Sequence, residues 1–303
     1  MRVLLIGQDR FGRDCLQNLV GQGEQVVGVI TVPEGKKPNP LQESAVEQGL
    51  PLIMPARLKD EGIVEWAAGL GAELAVLAYV TGFVPAGMIR LFPRGAINYH
   101  PSLLPGYRGG SAIARAIIAG EKETGVTVHY IDEGVDTGDI ILQQSVPISP
   151  VDNTVTLYFD KLYPLGLALL SEAVRLIGAG RAPRIPQDER LASFHPVLKE
   201  ADARIDWRQA AGRIHDLVRG AMPSPGAGTT FRGEKVVIYE AAGPAEGGSG
   251  AAPGRIQALG GDGLLVGTGR GDLLVRKVVW RGRRVAAPEF AGSSALQVGE
   301  AFV

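Results

Sequence analysis

The chain has little of what marks a disulfide-stabilised, metal-binding or membrane protein. Cys15 is the only cysteine among 303 residues, which excludes an intramolecular disulfide and a site built from several cysteines. The four histidines are scattered, without the spacing of metal ligands. No run approaches the roughly 20 apolar residues of a membrane-spanning helix. The opening MRVLLIG is too short for a secretory signal and predicts a first strand. We therefore expect a cytoplasmic protein.

The chain also lacks an excess of charge of either sign. Its formal net charge is only −1, which gives no global attraction to nucleic acid. The charges are divided unevenly: residues 204–303 contain 13 Lys and Arg against 9 Asp and Glu, whereas residues 1–203 contain 18 against 23. The clearest basic cluster follows a strand–turn–strand pattern and consists of Arg276, Lys277, Arg281, Arg283 and Arg284. This pattern fits either a nucleic-acid contact or a solvated hairpin.

What the sequence does contain is an alternation of buried strands and helices in its first part. The apolar run at 2–6 is followed by a glycine turn, a helical pattern and a second apolar run at 25–32, which indicates a βαβ unit. A further continuous apolar run at 73–80 predicts a mostly parallel sheet covered by helices on both faces, an α/β, Rossmann-like fold. Gly7 and Gly12 lack the GxGxxG spacing, so NAD binding is not predicted.

The character of the chain changes towards its C-terminal part. Residues 181–203 contain several prolines and no sustained periodicity, which is typical of a linker. Beyond them, short apolar segments separated by glycine-rich turns predict a small β-barrel of the OB type. The sequence thus predicts a first domain over 1–180, a linker over 181–203 and a C-terminal β-barrel-like domain over 204–303.

Polar side chains are densest in two places, at Asn98-Tyr-His100 and at Asp136-Thr-Gly. Ligands of open α/β sheets bind beyond the carboxyl ends of the strands, and residues two apart on a strand point to the same side. Asn98, His100 and Asp136 would together supply an amide donor, an imidazole and a carboxylate, a set that suits acyl transfer. Spacing alone favours a plainer alternative, an asparagine that caps a turn beside a surface histidine. His129, in a strand pattern, is predicted to be packed rather than catalytic.

These motifs carry a resemblance to a known family. The segments NYHPSLLPGYRGGSAI (98–113) and GVTVHYIDEGVDTGDIILQ (125–143) resemble the signature of the folate-dependent formyltransferases, which includes methionyl-tRNA formyltransferases and the hydrolase domain of 10-formyltetrahydrofolate dehydrogenase. Asn98, His100 and Asp136 match its Asn-x-His motif and the later Asp. The resemblance implies a catalytic first domain that takes the formyl group from 10-formyltetrahydrofolate and passes it to an amine.

The resemblance also implies which other residues meet the two substrates. The folate pocket of the family is built largely from backbone around two segments, which correspond here to Tyr79, Gly82, Phe83, Val84, Asp132, Glu133, Gly134 and Val135. Ser102 and Arg108 would contact substrate, and Arg108 would steer an anionic acceptor or the folate tail. If tRNA carries the acceptor amine, the basic cluster at 276–284 is the expected contact.

The resemblance leaves the acceptor open. IGQDRFG (6–12) and VVGVITVPEGK (26–36) are most similar to the hydrolase domain, which has an apolar residue where this chain has Asn98. Members specific for tRNA usually carry a longer basic insertion after the second strand, where this chain has only the loop 33–38. Transfer to methionyl-tRNA, transfer to an amino sugar or other small amine, and hydrolysis therefore remain as alternatives. A non-enzymatic folate or RNA binder is disfavoured by the three intact functional positions.

Overall fold

A computed structural model describes residues 1–33, 39–60, 62–80, 82, 84–245 and 250–303. By their contacts these residues form two compact units. The first contains Met1–Gly110, Thr124–Val146 and Phe159–Phe194, and the second contains Ser111–Glu123, Pro147–Tyr158 and His195–Val303. The domain boundaries expected from the sequence stay a prediction. No helix in the described ranges is both long and apolar enough to cross a bilayer.

The secondary structure alternates between strands and helices up to Gly178 and is mostly β beyond Ala227. The strands are β1 (Arg2–Gly7), β2 (Gln25–Ile30), β3 (Leu52–Ile53), β4 (Leu74–Ala78), β5 (Ala96–His100), β6 (Arg108–Gly109), β7 (Glu123–Tyr130), β8 (Ile140–Pro147), β9 (Phe194–His195), β10 (Ala227–Phe231), β11 (Glu234–Ala245), β12 (Ile256–Gly260), β13 (Gly263–Gly267), β14 (Asp272–Trp280) and β15 (Arg283–Ala286). The helices are α1 (Asp9–Gly21), α2 (Pro40–Glu47), α3 (Ile63–Gly69), α4 (Ala86–Ile89), α5 (Ala112–Ala119), α6 (Thr154–Leu157), α7 (Tyr163–Gly178), α8 (Ala211–Gly220) and α9 (Ala287–Ser293).

A seven-stranded sheet in the order β3-β2-β1-β4-β5-β7-β8 forms the centre of the first unit. The strands from β3 to β5 are parallel, and β7 runs antiparallel to β5. In β1, β2 and β4 the residues are buried almost without interruption, as expected for strands covered on both faces. The α/β, Rossmann-like class predicted from the sequence is confirmed.

Helices cover both faces of this sheet. On one face, Ala96 of β5 belongs to an apolar cluster that includes Ile63 of α3 and Met88 of α4. On the other face, the Tyr99 ring lies 4.6 Å from the Phe11 ring of α1, measured between centroids, and a Cβ at Gly166 of α7 would collide with it. Side chains alternate along a strand, so Asn98 and His100 lie on the face opposite Tyr99.

The second unit contains an antiparallel sheet in the order β10-β11-β14-β13-β12, with β15 paired to β14. Residues 300–303 bond to both of its edges: Val303 exchanges two hydrogen bonds with Thr230 of β10, and Glu300 accepts from the main-chain N–H of Ile256 in β12. The C-terminal segment thereby connects the edges of the sheet, as in a barrel. The smaller C-terminal β domain, predicted from the sequence as a barrel of the OB type, is confirmed as a domain built on an antiparallel sheet.

The helical pattern of residues 154–177 predicts one long amphipathic helix, but the structure divides it. The chain forms α6, then a π-helical turn at Tyr158–Leu162, and then α7. Pro164 lies at the start of α7. Since proline has no N–H and its ring crowds the preceding turn, the regular α-helical bonding is interrupted there. Helix α9 was not predicted, because its seven residues are too few for a clear helical period.

Candidate active site

The site lies where β5 and β7 meet at one edge of the first unit's sheet. Asn98 and His100 are on β5, and the antiparallel register places His129 of β7 directly opposite Asn98. Directly paired residues of antiparallel strands point to the same face. His100 is only 5% exposed and His129 only 2%. The alternative of a surface histidine at position 100 is therefore wrong.

The carboxylate of Asp136 lies between the two imidazoles. Its Oδ2 is 3.5 Å from His100 Nδ1, and its Oδ1 is 3.5 Å from His129 Nε2. The same Oδ1 is 3.5 Å from the Asn98 amide nitrogen, which in turn is 3.3 Å from His129 Nε2. The three residues that the sequence singled out are thus brought together, and His129 joins them. Separations of this length in a free site can shorten when substrate binds.

The turn that carries Asp136 is held in an unusual conformation. Asp136 has φ +55°, in the left-handed region that few non-glycine residues adopt. Its Oδ2 accepts a 2.9 Å hydrogen bond from the Gly109 N–H. Gly138 follows closely, and a Cβ there would collide with the main-chain oxygen of Tyr130 at the end of β7. Backbone strain of this kind persists where the surroundings over-determine it, and it occurs preferentially at functional sites.

The loop after β5 is anchored by Thr127 of β7. The Thr127 hydroxyl donates to the Ser102 carbonyl at 2.7 Å and accepts from the Leu104 N–H at 3.1 Å. Ser102 is fully buried, and its own hydroxyl donates to the Gly106 carbonyl at 2.7 Å. In this structure Ser102 therefore holds its loop. Its predicted contact with substrate stays a prediction.

Arg108 is buried and joins the Asp136 turn to residues 187–189. Its guanidinium bonds to Glu189 at 2.7 and 3.0 Å and to the Gln187 side-chain oxygen at 2.8 and 3.1 Å. The Gln187 amide nitrogen donates to the main-chain oxygens of Asp136 and Gly138, both at 2.8 Å. The expected contact between Arg108 and an anionic substrate stays a prediction, and such an anion would have to displace Glu189.

We expect Gln187→Ala to lower the free energy of unfolding by about 1–3 kcal/mol, because it removes hydrogen bonds from the buried Arg108 and from two carbonyls of the Asp136 turn. Urea denaturation followed by circular dichroism measures the change. Gln144→Ala, at an exposed position on β8, is the matched control and should stay within about 0.5 kcal/mol of the unmutated chain. Equal stability of the two variants would contradict this role of Gln187.

The electrostatics of the site favour an anionic Asp136 and a neutral His100. Burial opposes ionisation of Asp136, but the His129 ring, His100 and the Gly109 N–H outweigh it and lower the pKa of Asp136 to about 2. Burial lowers the pKa of His100 below its ordinary value, although Asp136 and the Tyr107 carbonyl favour the charged form. His100 Nε2 donates to that carbonyl at 2.8 Å, so its unprotonated Nδ1 faces the carboxylate.

Both depressed pKa values make the folded state sensitive to acid. A group whose pKa is lower in the folded chain binds fewer protons there, so its contribution to stability is lost as the pH falls. We expect His100 to destabilise the fold progressively below about pH 6.5, its ordinary pKa. Asp136 should remove about 2 kcal/mol more as the pH falls from about 4 to 2. Urea denaturation at pH 7, 5 and 3 measures both steps. In His100→Asn the loss between pH 7 and 5 should be smaller than in the unmutated chain.

The two segments expected to hold folate follow β4 and β7 and share one apolar cluster, in which Val80, Val84 and Ile131 pack. Tyr79 has φ +64° and is 41% exposed, and Val135 is 45% exposed. Gly82 lies against Leu58, and Phe83 lies outside the described residues, as do residues 34–38 of the loop after β2.

The second of these segments is fixed by its own side chains. Asp132 accepts bonds from the Gly134 N–H and the Thr137 hydroxyl, and Glu133 pairs with Arg90 at 3.2 Å. Folate binding by the two segments stays a prediction.

His129 was predicted from the sequence to be packed rather than catalytic. It is packed, as expected, but its Nε2 also faces Asn98 and Asp136. The reason it was missed is the register: whether His129 faces Asn98 or the opposite side depends on how β7 pairs with β5, which spacing along the chain does not specify. Gln187 was missed because it falls in the predicted linker, where residues are joined to the site only through tertiary contacts.

Both the N-terminal and the C-terminal part of this chain are similar to known protein families. The family model "Formyl transferase" matches residues 1–174, and "Formyl transferase, C-terminal domain" matches residues 197–294. A methionyl-tRNA formyltransferase of Pelotomaculum thermopropionicum is 38% identical over 99% of this chain and 97% of its own length. The human mitochondrial 10-formyltetrahydrofolate dehydrogenase is 40% identical over 79% of this chain, which is 26% of its own length.

A solved structure shares the fold. The crystal structure of HypX from Aquifex aeolicus in complex with tetrahydrofolic acid has a TM-score of 0.66 and 20% identity, and the similarity covers 99% of this chain and 48% of that one. At this identity the likeness concerns the fold. The match to the N-terminal family model spans more than half of the chain, and the first relative is similar along nearly its whole length. This chain therefore belongs to the formyl transferase family.

Proposed function

We propose that this chain transfers the formyl group of 10-formyltetrahydrofolate to the amino group of methionyl-tRNA. The observation that carries the chemistry is the convergence of Asn98, His100 and Asp136 around one strand end. The relative named methionyl-tRNA formyltransferase, which matches over 97% of its length, supports the choice of acceptor. Folate is the co-substrate, held by the segments 79–84 and 132–135, and the location is the cytoplasm.

The first step of the proposed reaction makes an oxyanion. The amine nitrogen attacks the formyl carbon, a C–N bond forms, and the carbonyl electron pair moves to oxygen. The Asn98 amide N–H is placed to stabilise that charge, since fixed donors aimed at a developing oxyanion supply much of the catalysis in acyl transfer. The sequence also suggested a protonated His100 as donor. In the free site its Nε2–H is bonded to Tyr107, so His100 becomes charged only once it receives a proton.

The second step moves that proton. His100 Nδ1 and Asp136 Oδ2 face each other across 3.5 Å without a proton between them, because the pKa of His100 is lowered by burial and the pKa of Asp136 is lowered to about 2. A proton released by the attacking amine can therefore be shared by this pair. The oxyanion then collapses, the bond between the formyl carbon and N10 breaks, and N10 recovers a proton from the pair. Tetrahydrofolate and the formamide leave.

The basic cluster on the β14–β15 hairpin of the second unit is the proposed contact for tRNA. Two of its members are engaged by carboxylates: Lys277 pairs with Glu240 at 2.6 Å and Arg281 with Glu234 at 2.7 Å. Arg284 lies over the Tyr239 ring at 3.6 Å. Arg276 and Arg283 are exposed. A solvated hairpin is the alternative, and KM for tRNA distinguishes the two, since phosphate contacts make it rise steeply with salt.

Hydrolysis of 10-formyltetrahydrofolate is the second candidate, favoured by the 40% identity to 10-formyltetrahydrofolate dehydrogenase over 79% of this chain. Asn98 argues for transfer, because its amide can donate to the oxyanion that forms when an acceptor amine attacks the formyl carbon. The test is an acceptor screen with the purified chain and 10-formyltetrahydrofolate, which follows release of tetrahydrofolate and formate. Methionyl-tRNA, sugar nucleotides that carry an amine, and water alone are compared. Formate release at the same rate without an amine would indicate a hydrolase, and no consumption with any acceptor would indicate a binding protein.

A further inference from the structure

A second histidine faces the Asn98–Asp136 pair, and the proposed reaction described above gives it no role. His129 is 2% exposed and is the direct cross-strand partner of Asn98. Its Nδ1 lies 2.7 Å from the main-chain oxygen of Tyr130. A carbonyl oxygen only accepts, so Nδ1 is the donor in this contact. The contact fixes the ring with Nε2 pointing into the site, towards Asn98 and Asp136.

His129 Nε2 and Asp136 Oδ1 both lie beside the Asn98 amide nitrogen, at 3.3 and 3.5 Å. The amide oxygen in that position would meet the carboxylate and be repelled, whereas the NH₂ group can donate to it. The ring and the carboxylate together fix the rotation of the Asn98 side chain, and the second N–H of the amide stays available for the oxyanion.

We propose that His129 is a positioning residue of formyl transfer: its buried ring holds the Asn98 amide beside Asp136 at the strand end. This inference rests on the proposed function for its kinetic part and on geometry alone for its structural part. The proposed reaction routes no bond or proton through His129, so its effect is expected on turnover rather than on substrate binding.

The kinetic test compares His129→Phe with His129→Gln. Phenylalanine keeps an aromatic ring but removes Nε2, so the Asn98 amide loses one partner. We expect kcat to fall by about tenfold to a hundredfold, since small misplacements of a catalytic group have effects of this size, with KM for both substrates within about threefold. Glutamine offers a polar amide group that can contact the Asn98 N–H in place of Nε2. It should recover most of kcat.

The structural test needs no activity. The side-chain NH₂ resonances of Asn98 in the NMR spectrum of the folded chain should shift in His129→Phe and lie closer to their original positions in His129→Gln. His215→Gln, at a histidine of the second unit, is the control and should leave both these resonances and kcat unchanged.

The possible outcomes are distinct. Unchanged kcat in His129→Phe, together with unmoved Asn98 resonances, would show that His129 only packs and would overturn the proposal. If His129→Phe does not fold, His129→Leu, which also lacks Nε2, decides by the same two measurements. If the unmutated chain transfers formyl to no acceptor, the proposed function fails, and the NMR spectra still decide whether His129 positions Asn98.

Discussion

Asp136→Asn should lower kcat for formyl transfer by about 10²- to 10⁴-fold, the range in which a positioned acid or base acts. The amide of the new asparagine cannot accept the proton that leaves the attacking amine. The substitution also removes the negative charge that faces His100 and His129. The change preserves the size of the side chain, so the turn should remain folded. Affinity for tetrahydrofolate, measured by fluorescence titration, should stay within about threefold, because the expected folate contacts come largely from backbone. Single-turnover kinetics with methionyl-tRNA measures the chemical step directly.

The control for this variant is Asp139→Asn, three residues further along the same chain segment. Asp139 pairs with Arg184 at 3.5 Å at a partly exposed position and does not face the histidines. Asp139→Asn should keep nearly full turnover, since exposed ion pairs contribute little to the stability of the fold. If Asp136→Asn turned over nearly as fast as the unmutated chain, Asp136 would not be the proton acceptor. That result would contradict the second step of the mechanism.

Asn98→Ala should have the second-largest effect, a decrease of about 10²- to 10³-fold in kcat, which is the measured range for removal of one oxyanion donor. The loss concerns transfer to an amine. Release of formate to water should fall less, so the ratio of transfer to hydrolysis should drop. Both products are quantified in one reaction by following formyl-methionyl-tRNA and formate. Folate affinity should again change little.

Asn18→Ala, an exposed position on α1, is the matched control and should leave both products unchanged. A variant at position 98 that transfers formyl normally would contradict the role of the amide. A variant that loses folate binding in parallel with turnover would instead indicate that Asn98 holds the co-substrate.

The sequence predicted the architecture well because burial periodicity is a local property. Continuous apolar runs such as 73–80 indicated strands covered on both faces, and the structure places β4 in the interior of the sheet. The helical pattern at 42–49 likewise predicts a helix, and α2 is observed close to it, at Pro40–Glu47. The π-helical turn before α7 was not predicted, because helical periodicity continues through it while the bonding changes.

The candidate site was predicted in part. Asn98 and His100 are two residues apart on a strand, so their common side follows from the alternation of side chains alone. Asp136 was predicted from its position in the second polar segment, the resemblance to the family gave it the same role, and the structure places it beside His100. His129 and Gln187 could not be found in this way, since their positions depend on which strands pair and on where the chain returns after α7.

By itself the sequence determined the residue types, the order of strands and helices, and the presence of an amide, an imidazole and a carboxylate near strand ends. The tertiary structure decided that β7 runs antiparallel to β5 with His129 opposite Asn98, and that burial leaves His100 neutral beside an ionised Asp136. The physical reason is the distance along the chain over which each effect acts. Propensity and periodicity act over a few residues, whereas register, burial and charge coupling arise between residues that only folding brings together.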